Sequence, residues 1–257
     1  MPDLHLRLQN EETGEPASQP VLDDVQALAL LRDSEITAAK VIPWGSNYTF
    51  AVALETGDQR DHLAIYKPQA GENPLWDFPH GTLYLREHAA YLLSRRLGWD
   101  IVPPTVVRQG PHGIGTLQIY VEPKMDRSDD YEFWGQRTLP IERMVLFDHL
   151  ANNADRKLTH CLLDVNDKVW GIDHGLTFNE DPKLRTVLHQ FSGMSVSVAL
   201  LDDLARLHAD RKAIREDLRN HLSTIELDAL IVRLGRLLQM ACHPELDPRF
   251  NVPYGWW

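Results

Sequence analysis

The sequence predicts an α+β chain in two parts, a β-rich small lobe followed by a mainly helical large lobe. Three observations carry this expectation. Three short alternating runs of apolar residues follow one another between Ile36 and Lys67. One helix-period segment, Leu83–Leu97, is then followed by two more strand-like runs. Beyond Pro140 the pattern is mainly helical, interrupted by one short hairpin signature.

Residues 10–20, N-E-E-T-G-E-P-A-S-Q-P, are polar with two prolines, so residues 1–20 read as a flexible tail. Val25, Leu28 and Leu31 fall at helical spacing, with Asp23 and Asp24 at the end that suits the helix dipole. A strand over Ile36 to Pro43 leads into Trp44-Gly45-Ser46-Asn47, and Tyr48, Phe50, Val52 and Leu54 then alternate. Gly57-Asp58 marks a turn, and a third strand run, Leu63 to Tyr66, ends at Lys67-Pro68. Pro68, Gly71, Pro74, Pro79 and Gly81 make the next stretch a loop. Thr82 is placed to cap a helix over Leu83–Leu97, with Gly98 just past its end. Pro103-Pro104 breaks the chain, and strands over Thr105–Val107 and Thr116–Val121 surround Gly110 to Gly113.

Residues 122–137 are polar and acidic, which places a lobe boundary there and divides the chain into 21–122 and 123–257. Pro140 opens a helix to about Leu150. The polar run Asn152 to Lys157 comes next, then a hairpin of Cys161–Leu163 and Val169–Ile172 turning at Asn166-Asp167. Asp173-His174-Gly175 closes it, and from about Val196 the chain reads as helix.

Bulk properties narrow the function. The 257 residues carry a formal net charge of −11, which repels nucleic-acid phosphates and anionic membranes. The densest basic group, Arg206 to Arg219, is interleaved with acids and reads as a solvated helix face. No run approaches the ~20 apolar residues of a membrane span, and the N-terminus does not read as a signal peptide. Cys161 and Cys242 are too few for a disulfide framework. The expectation is a cytoplasmic protein that binds no nucleic acid and makes no stable membrane insertion.

Chemistry-bearing residues fall in an order that suits phosphoryl transfer, a reaction of positioning and charge neutralisation. Gly45 lets backbone approach phosphate oxygens, and Ser46 and Asn47 add polar groups. Lys67, at a strand end, offers a point charge to phosphates, and Glu87 on the next helix can hold it. Asp155 can orient or deprotonate an acceptor hydroxyl, and Asp173 is a hard oxygen ligand for magnesium. Gln118, Val121 and Glu122 lie where the last small-lobe strand meets the boundary, within reach of an adenine edge.

The segments G-S-N-Y-T-F, I-Y-K-P, P-L-W-D-F-P-H-G-T-L-Y-L-R-E-H-A-A-Y, N-N-A-D-R-K-L-T-H and W-G-I-D-H-G-L-T-F span residues 45–178. Together they resemble a bacterial phosphatidylinositol 3-/4-kinase-like group within the protein-kinase-like superfamily. The resemblance implies a two-lobed protein-kinase-like fold with ATP and Mg2+, or Mn2+, between the lobes, and a phosphoacceptor of unknown identity. It implies a catalytic role for Asp155 and Lys67 and a metal-binding role for Asp173. Lys157 and His160 depart from it: they stand where the family has a His and a metal-binding Asn, which makes His160 the candidate second metal ligand.

Other functions are open at this level. One is a non-catalytic nucleotide sensor, favoured by His160. Another is AMP transfer on the same fold. A third is a metal phosphohydrolase built from His149, Asp155, His160, Asp173 and His174. Trp76, Asp77 and Phe78 are a candidate lid over the cleft, and Trp256-Trp257 a candidate partner site.

Overall fold

The computed structural model describes residues 22–43, 45–55, 62–124, 130–136 and 138–254. The tail, Trp44, the Gly57-Asp58 turn and Trp256-Trp257 lie outside the described residues.

Helix α1 (Asp24–Asp33) starts one residue after Asp23, whose carboxylate accepts from the Gln26 amide while Gln26 reaches back to the Asp23 amide. This reciprocal capping box explains why the helix begins there. Strands β1 (Ile36–Ile42), β2 (Thr49–Leu54), β3 (His62–Pro68), β4 (Thr105–Gly110) and β5 (Gly113–Ile119) form one antiparallel sheet ordered β1-β2-β3-β5-β4. Side chains alternate across it. Phe50, Val52, Leu54, Ala64, Tyr66, Val106 and Leu117 form a core with Leu31 of α1. Lys67 and Gln118 therefore share the other face, because Lys67 pairs with Thr116 and Ile65 with Gln118.

Two expectations shift here. Strand β5 begins at Gly113 and stops at Ile119, which leaves Val121 and Glu122 beyond the sheet. A Cβ on Gly115 would sit 2.4 Å from the Lys67 carbonyl oxygen, so this glycine, just before the expected strand start at Thr116, belongs to the strand and allows a close backbone approach. The segment after β5 is strung between the two parts: Tyr120 N–H donates to the Leu63 carbonyl and Lys124 N–H to that of Leu163.

Helix α2 (Leu83–Leu97) ends as expected at Gly98 in the left-handed conformation, but Thr82 does not cap it. The Thr82 hydroxyl donates to the Pro79 carbonyl instead. The first amides of the helix, on Leu83 and Tyr84, donate to the Glu72 carboxylate, which the preceding loop delivers at 3.1 and 2.8 Å. Burial raises the pKa of Glu72, against the pull of those two amides. The apolar side of α2 joins the core of the C-terminal helices through Leu93 and Leu97. Arg86 also forms a buried ion pair with Glu226.

A short helix, α3 (Tyr131–Gly135), lies within the expected boundary loop. Helix α4 (Leu139–Ala151), with Pro140 in its first turn, is buried on nearly every side and sits between two apolar clusters. The hairpin of β6 (Cys161–Leu163) and β7 (Val169–Gly171) turns on Asp164, whose side chain accepts from Asn166 N–H, Lys168 N–H and Trp170 Nε1–H. Helices α5 (Val198–Ala209), α6 (Arg211–Leu218) and α7 (Thr224–Met240) complete the fold. The basic residues of α5 and α6 are interleaved with acids, as the ion pairs Arg206–Asp203, Arg215–Asp228 and Arg219–Glu216 show. Among the described residues, no helix is long and apolar enough to cross a membrane.

Asp148 interrupts the apolar face of α4 and is buried. Arg156, with no exposed surface, meets it with two parallel bonds of 2.8 and 2.9 Å. Replacing Asp148 with Ala strands that guanidinium in the interior. Urea unfolding is expected to show a loss of about 3–5 kcal/mol; a loss below ~1 kcal/mol would contradict this role.

Candidate active site

Arg156 organises the loop that carries Asp155. Beyond Asp148 it donates through Nη1 to the carbonyls of His160 and Ile172, each at 3.1 Å, and through Nη2 to the His174 ring at 2.8 Å. A guanidinium only donates, so His174 Nε2 accepts and its proton resides on Nδ1. Burial first, and the charge of Arg156 second, hold His174 far below the ordinary histidine pKa. The acid that pairs with Arg156 is Asp148.

Two carboxylates converge on Lys67. Its ammonium pairs with Glu87 of α2 and, at 2.9 Å, with Asp173 Oδ1. Burial alone would lower the Lys67 pKa; the charges of Asp173 and Glu87 outweigh it and raise it. Glu87 also accepts the His174 amide at 3.0 Å. Burial pushes the Glu87 carboxyl up, while the Lys67 charge works against that.

Asp173 adopts φ +61°, a left-handed backbone that Asp tolerates better than most residues and that is common at functional turns. Its side chain keeps 51% of its surface exposed. The Lys67 ammonium holds its pKa well below the carboxylate range, with desolvation opposing and His160 assisting. His160 Nε2 stands 3.3 Å from Asp173 Oδ2. Burial lowers the His160 pKa, and Asp173 counters it.

Asp155 is half-buried, pairs with Lys157 at 2.8 Å, and has its backbone amide donating to Asn153 Oδ1. Gln118 is buried on the Lys67 face of the sheet, and its amide donates to the Thr105 hydroxyl. Gly45 takes φ +99° with open space around its Cβ position, so conformation rather than crowding demands glycine there. Ser46 is exposed. The Asn47 side-chain Oδ1 accepts from the Asn73 backbone N–H at 2.8 Å, which ties this loop to the one that caps α2. Val121 is half-buried and Glu122 exposed in the connecting segment.

Lys67, Glu87, Asp173 and His160 are thus brought into direct contact. The five-residue phosphohydrolase constellation does not assemble. His149 lies beside His243, His174 is spent on Arg156, and Asp155 on Lys157. Among the described residues no three His, Cys, Asp or Glu side chains gather as a metal cage. Asp173 with His160 is a donor set that needs substrate oxygens to complete an octahedral site, which is how magnesium is commonly held beside phosphates. The open, ionised carboxylate of Asp173 fits that use. Phe78 of the candidate lid is buried, while Trp76 is 90% exposed and Asp77 pairs with Lys183.

Sequence reasoning missed Asp148 and Glu72. Asp148 had a signal, as a charge inside the apolar run M-V-L-F-D-H-L. Glu72 had none, because its partners lie eleven and twelve positions away.

This two-lobed arrangement, a five-stranded sheet with one crossing helix set on a helical bundle, is a protein-kinase-like fold. It resembles hydra Fam20 in a structure with sugar, at 16% identity and a TM-score of 0.60, over 86% of this chain and 89% of that one. It also resembles the golgi casein kinase (14%, 0.53, 88% and 80%) and the Helicobacter pylori proinflammatory kinase CtkA (15%, 0.50, 81% and 94%). No family model matches the chain. The chain belongs to the same family as Protein Rv2133c of Mycobacterium tuberculosis, with which it is 36% identical over 264 residues, covering 89% of this chain and 94% of that protein.

Several buried and half-buried histidines carry a pH signature, His149 and His174 among them. His149, in its desolvated site beside His243, has its pKa lowered to about 3, and His174 is also lowered. Both bind protons more readily once unfolded, near pH 6.5. Stability is therefore intact above that pH and falls as pH drops towards the folded values, by up to about 1.4 kcal/mol per pH unit for each group. Urea unfolding from pH 7 to 4.5 is expected to show this slope, reduced in His149→Gln; a flat profile would contradict it.

Proposed function

We propose that this chain is an ATP-dependent phosphotransferase acting on an alcohol acceptor. The observation that carries the reading is the Lys67 ammonium held between Glu87 and Asp173, which come from opposite sides of the cleft. An ammonium has three N–H donors, and these two carboxylates leave one for a phosphate oxygen. Glu87, fixed by the His174 amide, sets where that charge points.

Asp173, with His160 beside it, would hold a divalent cation, Mg2+ or Mn2+. When bound, such an ion neutralises phosphate charge. Asp155 orients the acceptor hydroxyl and takes its proton as the oxygen attacks. Lys157 places a positive charge next to that carboxylate, where the transferred group would arrive. Gly45, Ser46 and Asn47 offer backbone and side-chain groups to the phosphates, and Gln118, Val121 and Glu122 line the route to the adenine. The motifs around Asp155 and Asp173 favour the phosphatidylinositol 3-/4-kinase-like kind of kinase. The kinase-like solved structures support the broader reading.

A second reading has one observation in its favour. His160 points a nitrogen at Asp173 where a second oxygen ligand would suit magnesium better, and this favours a nucleotide sensor.

Purified chain with Mg2+ and ATP labelled at the α or γ phosphate tests these readings in one experiment. Labelled product from γ alone is expected, with Asp155→Asn reducing turnover by about 10²–10⁴-fold and Asp173→Asn abolishing it. Label from α would show AMP transfer instead. Tight ATP binding without turnover would establish the sensor.

A further inference from the structure

Residues 183–187 run alongside the loop that carries Asp155. Arg185 N–H donates to the Asn153 carbonyl at 2.9 Å, Arg156 N–H to the Arg185 carbonyl at 3.0 Å, and Val187 N–H to the Arg156 carbonyl at 3.1 Å. These bonds form a parallel bridge that pairs Arg156 with Thr186. Paired residues in such a bridge point to one side and their chain neighbours to the other. Arg156 and Thr186 are both buried. Their predecessors, Asp155 and Arg185, consequently share the opposite side, and both are half-buried there. Backbone pairing thus sets an arginine beside the candidate base.

Among the described residues, that guanidinium is held without being neutralised. Nη1 donates to the Ala154 carbonyl and Nη2 to the Tyr254 hydroxyl, each at 3.3 Å, and the group lies 4.3 Å from the Tyr254 ring centroid. Its two basic neighbours are paired, Lys157 with Asp155 and Lys183 with Asp77. Among the described residues no acid pairs with Arg185, in a chain that carries 37 Asp and Glu against 26 Lys and Arg.

From this geometry we infer that Arg185 reads an anionic group on the acceptor. The acceptor is then a small alcohol bearing one carboxylate or phosphate monoester near the hydroxyl it presents to Asp155. The inference rests on the phosphotransferase reading above. A guanidinium fork matches either anion with two parallel bonds, and the Tyr254 ring covers one side of it. The net charge of −11 opposes the approach of an anionic membrane or a polyacidic chain, which favours a small acceptor. In the reaction the hydroxyl proton passes to Asp155 while the new oxygen–phosphorus bond forms. The bond to the bridging oxygen breaks, and ADP leaves with that electron pair. Arg185 exchanges no proton.

Steady-state kinetics on the full chain test this with γ-labelled ATP and matched acceptors: glycerate and glycerol 3-phosphate against glycerol, and glucose 6-phosphate against glucose. Anionic members are expected to be preferred. In Arg185→Gln the ratio of kcat/KM between anionic and neutral members should fall by about 10–100-fold, mainly through KM, with partial recovery in Arg185→Lys. Equal use of neutral members, or an equal fall for both, would overturn the inference. So would labelling confined to phosphoinositide vesicles or acidic peptides. If ATP is consumed in an Asp173-dependent way and none of the anionic alcohols is labelled, this inference fails and the phosphotransferase reading stands. If ATP is neither bound nor consumed, both fail.

Discussion

The candidate site depends on one buried cation. Arg156 has no exposed surface, and its five N–H donors meet five acceptor contacts: both oxygens of Asp148, the carbonyls of His160 and Ile172, and the His174 ring. Removing a guanidinium from water costs several kcal/mol, and only complete pairing of this kind offsets it. The consequence is positional. The residue before Arg156 is Asp155, the carbonyl of Ile172 precedes Asp173, and the carbonyl of His160 fixes that ring's backbone. A single side chain thereby registers α4, the loop that carries Asp155 and the turn after β7 against one another.

The second constraint acts across the cleft. Lys67 comes from the sheet, Glu87 from α2 and Asp173 from the turn after the hairpin, and they meet at one ammonium. The loop before α2 holds this arrangement from outside. It caps α2 through Glu72, receives Asn47 at its Asn73 amide, and reaches Lys183 through Asp77. The position of Glu87, the shape of the Gly45 turn and the placement of the segment around Arg185 are therefore mechanically linked. The kinase-like solved structures share this fold at identities of 14–16%, so the resemblance lies in topology and the detail in these contacts.

Most of the architecture was legible in the sequence because its signals are local. Alternation marked the strands, Gly98 marked the end of α2, and Pro140 marked the start of α4. The start of β5 was not legible, since Gly115 inside it is required by the close approach of β3 rather than by a turn. The cap of α2 was misread for a related reason: Thr82 stands at the right position, but a carboxylate from the loop occupies the amides first. At the site, residues of distinctive chemistry, Lys67, Glu87, Asp173 and His160, were found by order along the chain, and the structure brings them into contact. What order does not reveal is which groups are already spent. His149, His174 and Asp155 looked available to one metal, and the fold commits each to a different partner. Arg185 escaped notice because its closeness to Asp155 comes from a bridge between segments about thirty residues apart.

The central claim is that the cleft between Lys67 and Asp173 receives the phosphates of a nucleotide with a divalent ion. A crystal structure of the chain with a non-hydrolysable ATP analogue and Mn2+ tests it most directly. The account predicts an anomalous peak within bonding distance of the Asp173 carboxylate, phosphate oxygens on Lys67 Nζ and the Gly45 turn, and an unchanged Arg156–Asp148 pair. Phosphates bound elsewhere, or manganese held without Asp173, would contradict it.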